Sequence, residues 1–344
     1  MLTRRRAMHA LGWGLASALS LGLATPVSAQ GYPERTVKLV VPFAAGGSTD
    51  LVARLLADKM GPILGQTVIV ENRGGGGGTL GADAVAKAKP DGYTIGMATM
   101  STHGSNPAVY TRLPYDPIKD FAPITNVVSV PSVFVVHPSV PAQTMKEFIA
   151  LAKAAPGKYT FASPGNGSLG HANIEQFMDL AGIQLLHVPY KGAGQAATDA
   201  LAGVVHAMTD NLPSTLPNIK AGKLRALAVL APQRSPVLPD VPTYRELGFE
   251  EMSEGGWFGL VAPAGTPPAV INRLHEAAHK AMASPEFKEK LAAMSGIPMA
   301  NSPEQFAAQI RVAIEKYRRI AKAANIRIES APASPRRRTA RPLP

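Results

Sequence analysis

The 344-residue chain contains no cysteine. That excludes a disulfide, a thiolate nucleophile and a lipid-modified cysteine at a signal cleavage site. Aromatic residues are scarce, at 6%, and no basic stripe interleaves with them, so no nucleic-acid partner is expected. Long apolar runs are missing as well. The small, apolar stretch 10–24 is too short and too weak for a membrane span. Acidic residues number 24 against 35 Lys and Arg, a formal charge of +11, but the excess sits at the ends. Arg4, Arg5 and Arg6 supply three of these charges and Arg336, Arg337, Arg338 and Arg341 four, which leaves +4 on the stretch between. The histidines at 103, 137, 171, 187 and 206 show no paired metal spacing, so no metal site is expected.

What is present begins with an export signal. Basic Arg4–Arg6, the apolar stretch 10–24 and the small-x-small site Val27-Ser28-Ala29 predict a signal peptide over 1–29 and a mature chain from Gln30. Thr3-Arg4-Arg5-Arg6-Ala7-Met8 loosely fits a twin-arginine signal, and the general export route fits as well. An exported chain without an anchor is expected free in the periplasm. The Pro- and Arg-rich segment 331–344 reads as a disordered basic tail.

Between these ends, short apolar runs alternate with helical periodicity. Candidate strands are 36–42, 67–71, 93–98, 123–136, 158–162, 185–188, 205–209, 224–230 and 255–262. Candidate helices are 49–63, 79–88, 144–154, 169–180, 194–202, 267–282, 285–293 and 303–324. Such alternation predicts an α/β fold of βαβ units with parallel sheets, and it places strand-to-helix loops at the carboxyl edges where ligands bind. Two extended stretches, 127–137 and 255–261, read as crossings between lobes. Lobe one is therefore expected at 30–130 plus 255–330, and lobe two at 131–254.

Three small-residue loops carry the functional signal. Pro42-Phe43-Ala44-Ala45-Gly46-Gly47-Ser48-Thr49-Asp50 joins an apolar strand to an amphipathic helix. A helix start presents free N–H groups and the positive end of a dipole, which suits an anion. The pattern returns at Phe161-Ala162-Ser163-Pro164-Gly165-Asn166-Gly167-Ser168. Two such loops in an exported chain suggest a cleft that closes on a carboxylate. The run Gly74–Gly78 with Thr79 and Gly81 formally contains a dinucleotide fingerprint, but consecutive glycines match many patterns, and no Gly-Lys-Ser/Thr follows. A cleft-lining loop is the preferred reading, and no cofactor is expected. Ser168 with His171 could serve an esterase-like hydrolase. Against that, Asn166 stands where a nucleophile elbow needs glycine, and Ser168, His171, Asp210 is not the hydrolase order. Tyr190 and Lys191 lie in the third strand-to-helix loop, His187–Gly194, and Asp210 ends another strand.

Taken in order, Val41–Asp50, Val70-Glu71-Asn72-Arg73, Gly165–Ser168 with His171, Val188–Gly192, Asp210-Asn211-Leu212-Pro213 and Trp257-Phe258-Gly259-Leu260 resemble the Bug-type receptors. These are the extracytoplasmic solute-binding proteins of the tripartite tricarboxylate transporter family. The resemblance spans 31–328. It implies a two-lobe periplasmic binding protein, type II-like, that closes like a flytrap on a small mono- or dicarboxylate. It also implies a monomer that is not an enzyme and delivers its ligand to membrane permease subunits. By that match Phe43, Ala44, Ala45, Gly46, Gly47 and Ser48 hold the carboxylate and Asp50 closes their loop. Gly75, Gly76, Gly77, Gly78, Thr79, Ser163, Asn166, Ser168, His171 and Tyr190 line the rest, with Asp210 at the far end. The chain departs from the pattern in lacking an alanine within Gly74–Gly78 and in carrying Thr209 where an aromatic is expected.

Overall fold

The computed structural model describes residues 31–329; the expected signal peptide and basic tail lie outside them. The first half starts with β1 (Val37–Val41), whose apolar VKLVV run is buried along almost its whole length. It leads through α1 (Ser48–Leu64) to β2 (Val68–Asn72), then through α2 (Thr79–Ala86) to β3 (Thr94–Thr99). β1 pairs in parallel with both neighbours. A tight turn over Ser101–Ser105 and the one-turn α3 (Asn106–Val109) precede β4 (Phe121–Val130).

One residue, Pro131, separates β4 from β5 (Ser132–Val136). The single strand expected over 123–136 is therefore two strands in two sheets. Proline has no N–H to give a ladder, so the sheet breaks there, while its carbonyl accepts from Leu212 N. The second sheet continues with α4 (Met145–Ala154), β6 (Thr160–Ser163), α5 (Leu169–Ala181), β7 (Leu186–Pro189), α6 (Ala193–Leu201), β8 (Ala207–Asn211), α7 (Leu212–Lys220) and β9 (Arg225–Leu230). Its order is β7-β6-β8-β5-β9. Apolar clusters cover both faces. Phe134, Phe148, Phe161 and Phe177 pack on one side, and Val133, Ala162, Met208 and Leu216 on the other.

The chain returns through β10 (Gly256–Pro263), which is buried at every position. Helices α8 (Pro268–Ala283) and α9 (Pro285–Ala293), the short β11 (Ile297–Pro298) and α10 (Pro303–Ala323) complete the first sheet, in the order β11-β4-β10-β3-β1-β2. Ser302 and Gln305 form a reciprocal capping box at the start of α10, satisfying two orphan amides. Both sheets are mixed, because β10 runs antiparallel to β3 and β4, and β5 antiparallel to β8 and β9. The strands that carry the chain between sheets thus enter against the direction of the βαβ units.

Candidate functional site

The two halves meet around a partly open cavity of about 30 Å³. Three helix starts border it: Gly47, Ser48 and Thr49 of α1, Leu169 and Gly170 of α5, and Ala193 of α6. Gly47 and Gly192, the residues before α1 and α6, make no side-chain cap hydrogen bond. Those first-turn amides are left to whatever occupies the cleft. Helix α5 differs, since Ser168 Oγ accepts from His171 N.

The turn before α1 is built from within. Asp50 Oδ2 accepts from Gly46 N at 3.0 Å and from Arg54 Nε at 3.0 Å, and Asp50 Oδ1 accepts from Asn72 Nδ2 at 2.9 Å. Burial would raise this carboxyl. The hydrogen bonds from Arg54, Gly46 and Asn72 outweigh it and hold the group below the usual carboxylate range.

The other wall is the carboxyl end of β8: Thr209, Asp210 and Asn211. Burial pushes the Asp210 carboxyl up to about 6, with hydrogen bonds from Ser214 and Thr215 acting against the rise. Ser214 Oγ donates to Asp210 Oδ2, and Thr215 Oγ1 donates to the same oxygen at 2.9 Å. Ser214 N in turn donates to Ser48 Oγ at 3.0 Å, which ties α7 to the start of α1. Phe43, Met100, Leu169 and Phe258 supply apolar surface, and Thr99, Ser101 and Ser132 neutral polar atoms. Among the described residues lining the cavity, Asp210 is the one ionisable group.

Of the residues read from the sequence, Phe43, Gly47, Ser48 and Asp210 line this cavity. Ala44, Ala45 and Gly46 instead border a surface hollow beside Gly194 and Ser214. Gly75–Gly78 with Thr79 pack against the Gly165–Ser168 turn, and of the 163–168 segment Pro164 lines the cavity. A Cβ on Gly77 would stand 2.2 Å from Asn166 O, and its φ of +62° is left-handed, so only glycine fits. Asn106 Nδ2 donates to Gly77 O at 3.0 Å, and Tyr110 OH to Asn166 O at 2.8 Å. Ser163 Oγ lies 2.6 Å from His187 Nε2. His171 stacks on His187 at 4.3 Å, and its Nδ1 accepts from Gly167 N. Its Nε2 faces Glu175 at 3.4 Å, so the ring is not spent on Ser168 Oγ, as a nucleophile–base pair would require. Tyr190 OH donates to Asp199 Oδ2 at 2.6 Å.

Sequence reasoning did not name Thr49, Thr99, Met100, Ser101, Ser132, Pro164, Leu169, Gly170, Ala193, Thr209, Asn211 or Phe258 as contacts, although all line the cavity. The rule that ligands gather at strand carboxyl ends pointed at Thr99 and Asn211, and Thr49, Pro164, Asn211 and Phe258 lay within the loops and motifs singled out; nothing local marked Met100, Ser101 or Ser132. It also passed over His275 and His279, whose four-residue spacing on a helical pattern was visible.

Two mixed α/β sheets meeting at a cleft, with helix starts from both facing it, define a solute-binding receptor of the two-lobe type. Comparison with known proteins gives the same class. Residues 52–326 match the family described as the tripartite tricarboxylate transporter family receptor. Protein BugT of Bordetella pertussis is 39% identical over 313 residues, 91% of this chain and 95% of that one. Among solved structures, the periplasmic binding protein BugD is 38% identical with a TM-score of 0.84, covering 86% of this chain and 99% of its own. An R. palustris protein solved with adipate is 34% identical with a TM-score of 0.83 over the same shares. The chain belongs to the tripartite tricarboxylate transporter receptor family, as a Bug-type receptor, and it is not an enzyme.

Proposed function

We propose that the chain is exported to the periplasm and cleaved after Ala29. There it captures a small mono- or dicarboxylate between lobes at 30–130 plus 255–330 and 131–254, and delivers it, as a monomer, to membrane permease subunits. The observation that carries this reading is the meeting of two side-chain-uncapped helix starts, α1 and α6, at one cavity with no Lys, Arg or His among its described lining residues. Backbone amides, helix dipoles and neutral side-chain donors are then what is left for a carboxylate. The adipate-bound relative supports a carboxylate, since adipate is a dicarboxylate.

A cavity volume of about 30 Å³ holds roughly two waters. A six-carbon acid enters only when the halves part. Ligand capture is therefore a hinge opening followed by closure, in which the ligand favours the closed state by its differential affinity. Phe43, Gly47, Ser48 and Asp210 are the contacts already in place. Ala44–Gly46, Gly75–Thr79, Ser163, Asn166, Ser168, His171 and Tyr190 become candidate contacts on opening, with Asp50 holding the first loop in shape.

The test is thermal unfolding of the mature protein against a panel of mono-, di- and tricarboxylates and neutral sugars, with native mass spectrometry for a co-purified acid. A ligand at 100 times its Kd adds about 2.7 kcal/mol by mass action. A flat response to every acid together with a rise on a neutral sugar would refute the carboxylate reading.

A further inference from the structure

On α8, His275 and His279 lie one turn apart with ring centroids 3.9 Å from each other, and both are half-buried. Their Nε2 atoms converge on one atom, the carbonyl oxygen of Asn301, at 3.3 Å and 3.2 Å. Thr125 Oγ1 also reaches that oxygen, at 2.7 Å, and stands 3.2 Å from His279 Nε2. A carbonyl oxygen has two lone pairs. The Thr125 hydroxyl and His275 can fill them, while His279 Nε2 can instead donate to Thr125 Oγ1, so the three groups share one carbonyl and one hydroxyl at close range.

The spacing matches a different arrangement. A cation held at about 2.1 Å by each donor sets them about 3.4 Å apart in a tetrahedron and about 3.0 Å apart in an octahedron. The separations of 3.3 Å and 3.2 Å from nitrogen to carbonyl oxygen fall between these edges. Imidazole donors select Zn²⁺, Cu²⁺ or Ni²⁺ over Mg²⁺ and Ca²⁺, which want oxygen. We propose that His275 Nε2, His279 Nε2 and the Asn301 carbonyl, with the Thr125 hydroxyl in reach, form a site for one divalent transition-metal ion whose remaining positions are taken by water.

No cluster of three or more His, Cys, Asp or Glu side chains occurs among the described residues; this site gains its third protein donor from the backbone. None of its residues lines the ligand cavity. A bound ion would cross-link α8, β4 and the segment that leads into α10.

The experiment uses mature protein without a polyhistidine tag. Calorimetric titration with ZnCl₂ is expected to show one site. His275→Gln and His279→Gln should each weaken it at least tenfold, whereas His137→Gln and MgCl₂ should give unchanged Zn²⁺ affinity and no binding, respectively. Histidine modification by diethyl pyrocarbonate, read by mass spectrometry, needs no variant. There Zn²⁺ should protect His275 and His279 and leave His137 reactive. Absence of Zn²⁺ binding, a site indifferent to both substitutions, or equal modification of His275 and His279 with and without Zn²⁺ would overturn the assignment.

Discussion

Two of the seams between the halves are built in opposite ways. At the cavity seam the starts of α1 and α6 abut, with Ser48 tied to Ser214 and the first-turn amides of both helices lacking side-chain caps. At the second seam the 101–110 segment grips the start of α5. Leu169 N donates to Ser101 Oγ at 2.9 Å, Ser105 Oγ donates to Gly167 O at 2.8 Å, and Tyr110 OH donates to Asn166 O at 2.8 Å. Buried polar groups tend to be paired, and an unpaired one costs free energy. The second seam pairs most of its polar groups within the chain, His103 Nε2 and Asn106 Oδ1 excepted. The first has donors left over, so it binds. Glycine differs between them in the same sense. At Gly77 it admits the chain's own backbone, and at Gly47 it leaves room for something else.

The largest effect is expected from Gly77→Val. The new Cβ would meet Asn166 O at 2.2 Å in a left-handed conformation. Strain and overpacking together cost about 3 kcal/mol or more. The halves should part while each keeps its secondary structure. Small-angle scattering should show a larger radius of gyration with an unchanged far-ultraviolet spectrum. An unaltered radius and unfolding midpoint would show that this seam does not hold the halves.

Next comes Asp210, at the cavity seam. Its carboxyl is raised from 3.8 to about 6 by burial. Between those values the folded state binds more protons than the unfolded one, so stability falls as pH rises through the window and levels off above it. The penalty is full at neutral pH and absent below about pH 4. A shift of this size corresponds to about 3 kcal/mol as an upper bound. Asp210→Asn keeps an acceptor for Thr215 and Ser214 and removes the titration. Urea unfolding of the wild type should gain stability from pH 7.5 to pH 5 relative to the variant. Parallel pH profiles for the two proteins would contradict the assignment.

Tyr110→Phe, back at the second seam, deletes one donor to a carbonyl. A loss of about 1 kcal/mol is expected, read as a lower urea midpoint with an unchanged m-value. A variant as stable as the wild type would mean that water replaces the hydroxyl there and the seam is wetter than drawn.

These seams also show what the sequence could and could not reveal. Strand and helix periodicity located β1, α1, α5, α9 and β10 to within a residue or two, because each buries one face or both. Helix α7 escaped, since Pro213 and Pro217 within Leu212–Lys220 read as loop, yet proline fits a first turn and tertiary packing overrides propensity later. The turn Ser101–Ser105 escaped because its Ser, Thr, His and Gly residues carry no period. Its partners lie more than 60 residues away in Gly167 and Leu169. Phe43, Gly47, Ser48 and Asp210 were legible as loop-and-strand-end chemistry. Met100 and Ser132 were not, because their place at the cavity depends on how the sheets meet.

The smallest effect on the unliganded protein is expected from Gly47→Ala, and that smallness sharpens the contrast. Gly47 has φ of −84° and ψ of 168°, ordinary extended backbone that alanine adopts without strain. The added Cβ would lie 3.5 Å from the Ala193 Cβ, a normal contact. Stability should stay within about 0.5 kcal/mol of the wild type. Binding is the other readout. If a carboxylate approaches the α1 amides across Gly47, the methyl group stands in its path and affinity should fall at least tenfold, about 1.4 kcal/mol. Stability kept and affinity lost would make Gly47 a residue kept small for the ligand, as Gly77 is kept small for the chain. Affinity kept alongside stability would move the carboxylate from α1 towards Ala193 and the start of α6. Lost stability would mean that the two seams use glycine for the same purpose.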